Sequence, residues 1–213
     1  MHEQNGARPL CKASFFETAR AALFAGKMTA DQEAGIETIL ARWRSLGPHV
    51  DRRFVAYGLA TAHHETGRLM QPVRETFAAS DAQAIARLER AYRRGRLPQV
   101  MEPYWRTDAE GRSWFGRGYV QLTHRANYAV LSKATGLDLL GNPDLALQSE
   151  PAAAILVTGL VEGLFTGRRL GDYLRAGTAD WRGARRTVNG TDRAELIAGY
   201  ARAYEAALLA GGF

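Results

Sequence analysis

The chain has 213 residues, 46% hydrophobic and 23% charged, enough for one substantial core and too few for several independent domains. A lone cysteine, Cys11, excludes an internal disulfide, and a net charge of +6 with a pI near 9.8 draws the surface toward polyanions without choosing among them. No charged, apolar and small-residue leader opens the sequence, and the most apolar run, 152–165, is interrupted by Glu162 and too short to span a bilayer. The expectation is synthesis in the cytoplasm without a signal peptide and without stable membrane insertion.

Taken in order, residues 15–24 predict a short helix. Thr29 and Gln32 form a capping box ahead of Ile36, Ile39, Leu40 and Trp43, and Gly47-Pro48 ends that helix. Asp51 caps the next, in which Phe54, Val55, Gly58, Leu59 and Ala62 recur at helical spacing and Glu65 falls near the C-terminal end. Gly67 suits the left-handed terminating position, and Gln71-Pro72 blocks continuation, so Glu75 belongs to a loop or fresh turn. Residues 81–94 carry an apolar stripe of Ile85, Leu88 and Tyr92. Between 104 and 120 the pattern changes: Tyr104, Trp105, Trp114 and Phe115 flank a turn-like 108–111 and predict a β-hairpin. Helical pattern resumes at 122–135, again after Ser149-Glu150-Pro151, and behind an Asp192/Glu195 capping pair to about residue 210. The prediction is a single, mainly α domain over 1–213, with N-terminal helices in 15–48, a core region at about 50–205 and a small hairpin insertion.

Chemistry concentrates in 63–75, HHETGRLMQPVRE, which sets two carboxylates ten positions apart across a change of backbone. At a helix C-terminus and in an apolar pocket Glu65 would keep its proton; Glu75, beside Arg74, would stay ionised. That is the division of labour of a general acid and a general base. The rivals for the base are Glu89, inside a regular helix, and Glu102. A second informative stretch, 115–128, reads FGRGYVQLTHRANY: Gly116 and Gly118 bracket Arg117 and permit a tight turn, while Gln121, Thr123 and Asn127 offer neutral donors and acceptors suited to a sugar or an attacking water.

Together these pieces resemble the plant-type chitinases of glycoside hydrolase family 19, and more closely their bacterial and phage relatives that act as lysozymes or endolysins. The matching motifs keep the family order: HETG at 64–67, the acidic Glu75, GRGYVQLT at 116–123 with Asn127-Tyr128, NPDL at 142–145 and VNG at 188–190. The resemblance implies a lysozyme-like fold with a cleft between a larger helical lobe and a smaller one. It implies Glu65 as general acid and Glu75 as general base of an inverting hydrolysis, with Gln121, Thr123 and Asn189 at the water or sugar and Arg117, Asn127 and Tyr128 in the same substrate- and water-binding set. The spacing between Glu65 and Glu75 is one residue longer than in the endolysin-like pattern, and Arg74-Glu75-Thr76 replaces its EEN.

The expected activity is endo-hydrolysis of the β-1,4-linked glycan of bacterial peptidoglycan, by a monomer with no cofactor, on the cell wall after release. Chitin as substrate and a non-catalytic glycan-binding module are the alternatives. A zinc HExxH motif fails because Arg68 stands where the second histidine is required, so no metal is expected. The arginine-rich 90–96 lacks any accompanying nucleic-acid signature, so no nucleic-acid partner is expected. Trp43 reads as core, whereas Trp105 and Trp114 suit a sugar-stacking cleft or a packed hairpin equally.

Overall fold

The computed structural model describes residues 10–175 and 177–213. Seven α-helices, four short 3-10 turns and two minimal strand pairs make up its regular structure among those residues. The helices are α1 (Lys12–Leu23), α2 (Ala30–Arg44), α3 (Arg52–Glu65), α4 (Asp81–Arg93), α5 (Arg125–Thr135), α6 (Ser149–Glu162) and α7 (Ala194–Ala210). The capping logic holds at α2, where Thr29 and Gln32 bond reciprocally, and at α3, where Asp51 accepts from the Arg53 amide. It fails at α7. The Asp192 carbonyl is taken by the Arg185 guanidinium, and left-handed Arg193 enters the helix without a side-chain cap.

Helix α3 is the axis of the larger lobe. Every residue from Val55 to His63 is buried, because α7, α2 and α6 pack against the helix, with α1 against α7 and α6 against α2. A second, smaller core holds Ala78, Ala84, Leu88, Trp105 and Phe115 under α4. The fold is therefore mainly α and two-lobed, of lysozyme type. No described helix is long and apolar enough to cross a membrane.

Only the end of the predicted 104–120 hairpin becomes strand, and its partner lies elsewhere. Residues 104–116 form an irregular loop, closed by the Trp114 amide on the Tyr104 carbonyl at 3.1 Å, because Trp105 and Phe115 are drawn into the small core rather than alternating across a ladder. The strand that follows, β2 (Arg117–Gly118), pairs antiparallel with β1 (Val73–Arg74), in the register Val73 opposite Gly118 and Arg74 opposite Arg117. A second pair, β3 (Leu174–Arg175) with β4 (Thr178–Ala179), lies near α7 in sequence.

One buried group gives the larger lobe a definite pH response. His63 is fully buried; its Nδ1 contacts the Tyr204 hydroxyl at 3.0 Å, which itself donates to the Met70 sulfur at 3.7 Å. His63 Nε2 has no hydrogen-bond partner among the described residues, so a second proton would sit unpaired in the core. Burial, helped by Arg68 and His64, pushes the His63 pKa down to about 4. The unfolded chain binds this proton near pH 6.5 and the native state does not. The contribution is complete above pH ~6.5 and is lost as pH falls toward 4, amounting to about 3 kcal/mol at ~1.4 kcal/mol per pH unit. Urea denaturation across this window should show that loss in wild type and a flatter profile for His63→Phe; equal slopes in both would remove His63 as its cause.

Candidate active site

Glu65 is the last residue of α3, and its Oε1 accepts from Arg185 Nη1 at 2.7 Å. Arg185 comes from a short 3-10 turn, Gly183–Thr187, and is itself buried. The surroundings thus differ from the expected apolar pocket: a guanidinium fixes the carboxyl, which remains 18% exposed. His64 beside it is held below its ordinary pKa by burial and by the positive charge of Arg185 and Arg193, against the opposing pull of Glu65 and Asp192. It is a neutral neighbour at neutral pH.

Glu75 opens a 3-10 turn, Glu75–Phe77, directly after β1. Its backbone N–H donates to the Gly116 carbonyl at 2.7 Å, and the Gly116 N–H returns a bond of 2.7 Å to Glu75 Oε2. The other carboxyl oxygen accepts from the Tyr104 hydroxyl at 2.8 Å. Burial, then the Glu75 charge and hydrogen bond, raise the Tyr104 pKa, which keeps the phenol a donor. Gly116 is the point of convergence. A Cβ there would lie 2.8 Å from Gln121 Oε1 and 3.3 Å from both Glu75 Oε2 and Thr123 Cγ2, so only glycine lets these three groups meet.

The structure thus brings Gln121 and Thr123 to Glu75. Gln121 sits at φ +55°, and its Nε2 donates to the Val73 carbonyl at 3.0 Å, leaving Oε1 directed at Gly116. Asn127 acts one step back, donating from Nδ2 to the Thr123 carbonyl at 2.9 Å. Asn189 is exposed and shares the wall of a groove of about 990 Å3 with Tyr104, Thr123, His124, Trp114 and Glu102. This groove joins the loop after Arg185 to the smaller lobe. Trp114 is therefore both packed, edge-on to Tyr128 at 5.2 Å, and part of the groove wall, whereas Trp105 belongs to the small core. Glu89 is committed elsewhere: hydrogen bonds from Arg106, Trp105 and Arg93 hold its pKa at about 2.

Arg117 and Tyr128 correct the expectation of direct contact with a substrate. Arg117 is 1% exposed. It pairs with Asp81 at 2.9 Å and Asp144 at 2.8 Å, stacks on the Phe115 ring at 3.8 Å, and donates to the Tyr128 hydroxyl, which bonds the Phe115 carbonyl. Arg74 joins the same two aspartates and so turns away from Glu75, the carboxylate it was expected to flank. The network ties β1, β2, the start of α4 and the NPDL turn into one frame behind Glu75. Arg117→Met should lower stability by about 2–4 kcal/mol; Asp81 and Asp144, partly exposed, can rehydrate, which keeps the cost near the low end for broken buried pairs. A urea midpoint equal to wild type with a raised KM would restore the direct-contact role.

Two contributors were missed from sequence: Arg185, as the partner of Glu65, and Tyr104, as the partner of Glu75. Arg185 lies three residues before the VNG motif and Tyr104 among the aromatics assigned to the hairpin, so both positions were visible while their partners, 120 and 29 residues away, were not. No group of three or more His, Cys, Asp or Glu side chains suited to a metal occurs among the described residues.

Fold and site define a two-lobed helical protein with two carboxylates, each hydrogen-bonded to a segment that borders or adjoins an open groove. The chain belongs to the chitinase class I family, glycoside hydrolase family 19, whose model matches residues 50–157. That span contains Glu65, Glu75 and Gln121; Arg185 and Asn189 lie outside it. Among curated proteins the chain is similar to Endochitinase 4 of Solanum tuberosum and the Basic 30 kDa endochitinase of Solanum lycopersicum. Both are 54% identical over 37 residues, 17% of this chain and 12% of theirs. Chitinase 11 of Oryza sativa subsp. japonica is 51% identical over 41 residues, 19% of this chain and 16% of that protein. The matched stretch thus spans less than a fifth of these relatives. No solved structure matches the chain.

Proposed function

We propose that the protein is an endo-acting glycoside hydrolase that cleaves β-1,4 bonds of the peptidoglycan glycan strand by single displacement. The observation that carries this reading is the contrast between the two carboxyls, each bonded to a segment that borders or adjoins the groove. Glu65 is tied to one cation and remains partly exposed, while Glu75 has both oxygens pre-oriented by neutral donors next to Gln121 and Thr123. Glu65 delivers a proton to the glycosidic oxygen, and Arg185 stays hydrogen-bonded to the carboxylate left behind. Glu75 takes a proton from a water that Gln121 and Thr123 help to hold, and that water attacks the anomeric carbon from the opposite face. Inverting enzymes leave roughly 6.5–9.5 Å between such carboxyls for the water.

Peptidoglycan is favoured by the basic surface, the absence of a possible internal disulfide and the motif likeness to the endolysin branch. In this reading the enzyme is cytoplasmic until released, and works as a monomer without a cofactor. Chitin is the second reading, favoured by the names of the endochitinase relatives. Mass spectrometry of products from purified peptidoglycan and from N-acetylglucosamine hexamer separates them. Reducing muropeptides are the expected result; hexamer fragments alone would move the substrate to chitin, and no product from either would leave a glycan-binding module.

A further inference from the structure

Immediately after Glu75 the chain adopts a conformation its side chains disfavour. Thr76 and Phe77 have φ of +61° and +53°, a region uncommon for any residue but glycine and an outlier for a bulky one. Arg87 of α4 pins this turn, donating from Nη1 to the Thr76 carbonyl at 2.7 Å and the Phe77 carbonyl at 3.4 Å. Strain held this firmly has a product, and here the product is the position of one ring. Phe77 is 55% exposed, whereas Phe15 and Phe115 are fully buried, and the small-lobe core assembles without it.

The ring reaches toward Gly67, two residues beyond Glu65. A Cβ on Gly67 would stand 3.0 Å from Phe77 Cζ and 3.3 Å from Cε1, so the tip of the ring meets Gly67 while more than half of the residue stays exposed. Gly67 is itself at φ +56°, so no other residue is easily accommodated beneath the ring. Phe77 therefore links the two segments that carry the carboxyls and leaves apolar surface open to solvent between them.

We propose that Phe77 is a sugar-stacking platform that receives the apolar C–H face of a pyranose ring of the bound glycan next to the Glu65 and Glu75 pair. This rests on the hydrolase reading above and adds a contact outside the groove wall described there. A solvent-facing ring gains by covering its apolar surface, and a rigid one does so at little entropic cost, which gives the strained turn its use.

The test uses Glu65→Gln as an uncleaving parent and calorimetric binding of N-acetylglucosamine hexamer and of soluble peptidoglycan strands. Adding Phe77→Ala should weaken binding to the preferred glycan about tenfold, and Phe77→Trp should restore it. In the otherwise wild-type enzyme, Phe77→Ala should raise KM with kcat nearly unchanged. Binding within twofold of the parent, or a loss confined to kcat, would overturn the proposal while leaving the hydrolase intact. A parent that binds neither glycan, from a wild type that cleaves neither, would overturn both.

Discussion

Glu65→Gln should fold like wild type and lose about 10²- to 10⁴-fold of its turnover, the range removed with a general acid. The amide nearly preserves the volume of the carboxyl, and its oxygen can still accept from Arg185 across the 2.7 Å contact, so the end of α3 and the Gly183–Thr187 turn stay joined. What disappears is a transferable proton. Parallel denaturation and turnover measurements separate the two effects: an unchanged urea midpoint with product formation near background is expected. More than a few per cent of wild-type activity on every glycan would remove Glu65 as the acid.

Glu75→Gln should be damaging to a similar degree, for a different reason. The amide can keep its oxygen on the Gly116 N–H and turn its nitrogen to the Tyr104 oxygen, so the turn after β1 persists while the site loses its proton acceptor. Glu102 supplies the control. It lines the same groove but is exposed, with no hydrogen bond among the described residues to organise it, and Glu102→Gln should stay within about threefold of wild type. The opposite ranking, mild at Glu75 and severe at Glu102, would relocate the base.

The helices could be read from the chain because their signals are local. Thr29 and Gln32, Asp51, and the apolar spacing along α2 to α4 act within one or two turns, and the observed bounds follow them closely. The strand pairing could not. Arg117–Gly118 finds its partner at Val73–Arg74, more than forty residues upstream, while Tyr104, Trp105 and Phe115 pack into the small core instead of forming a ladder. The same non-locality explains Arg117. Its flanking glycines suggested a tight turn and it was placed in the substrate-binding set, but Asp81 and Asp144 converge on it only after folding. Glu65, Glu75, Gln121 and Thr123 stood out because motif order carried them; Arg185 and Tyr104, which orient the two carboxyls, emerge only from the packed structure.

The central claim is direct attack of a Glu75-held water on a bond protonated by Glu65. Proton NMR of the first sugar released from a β-linked glycan, recorded before mutarotation, tests it most directly. Single displacement requires the α-anomer to appear first and the β-anomer to grow in afterwards. A first-formed β-anomer would show a covalent or substrate-assisted route with retention, and would contradict the account.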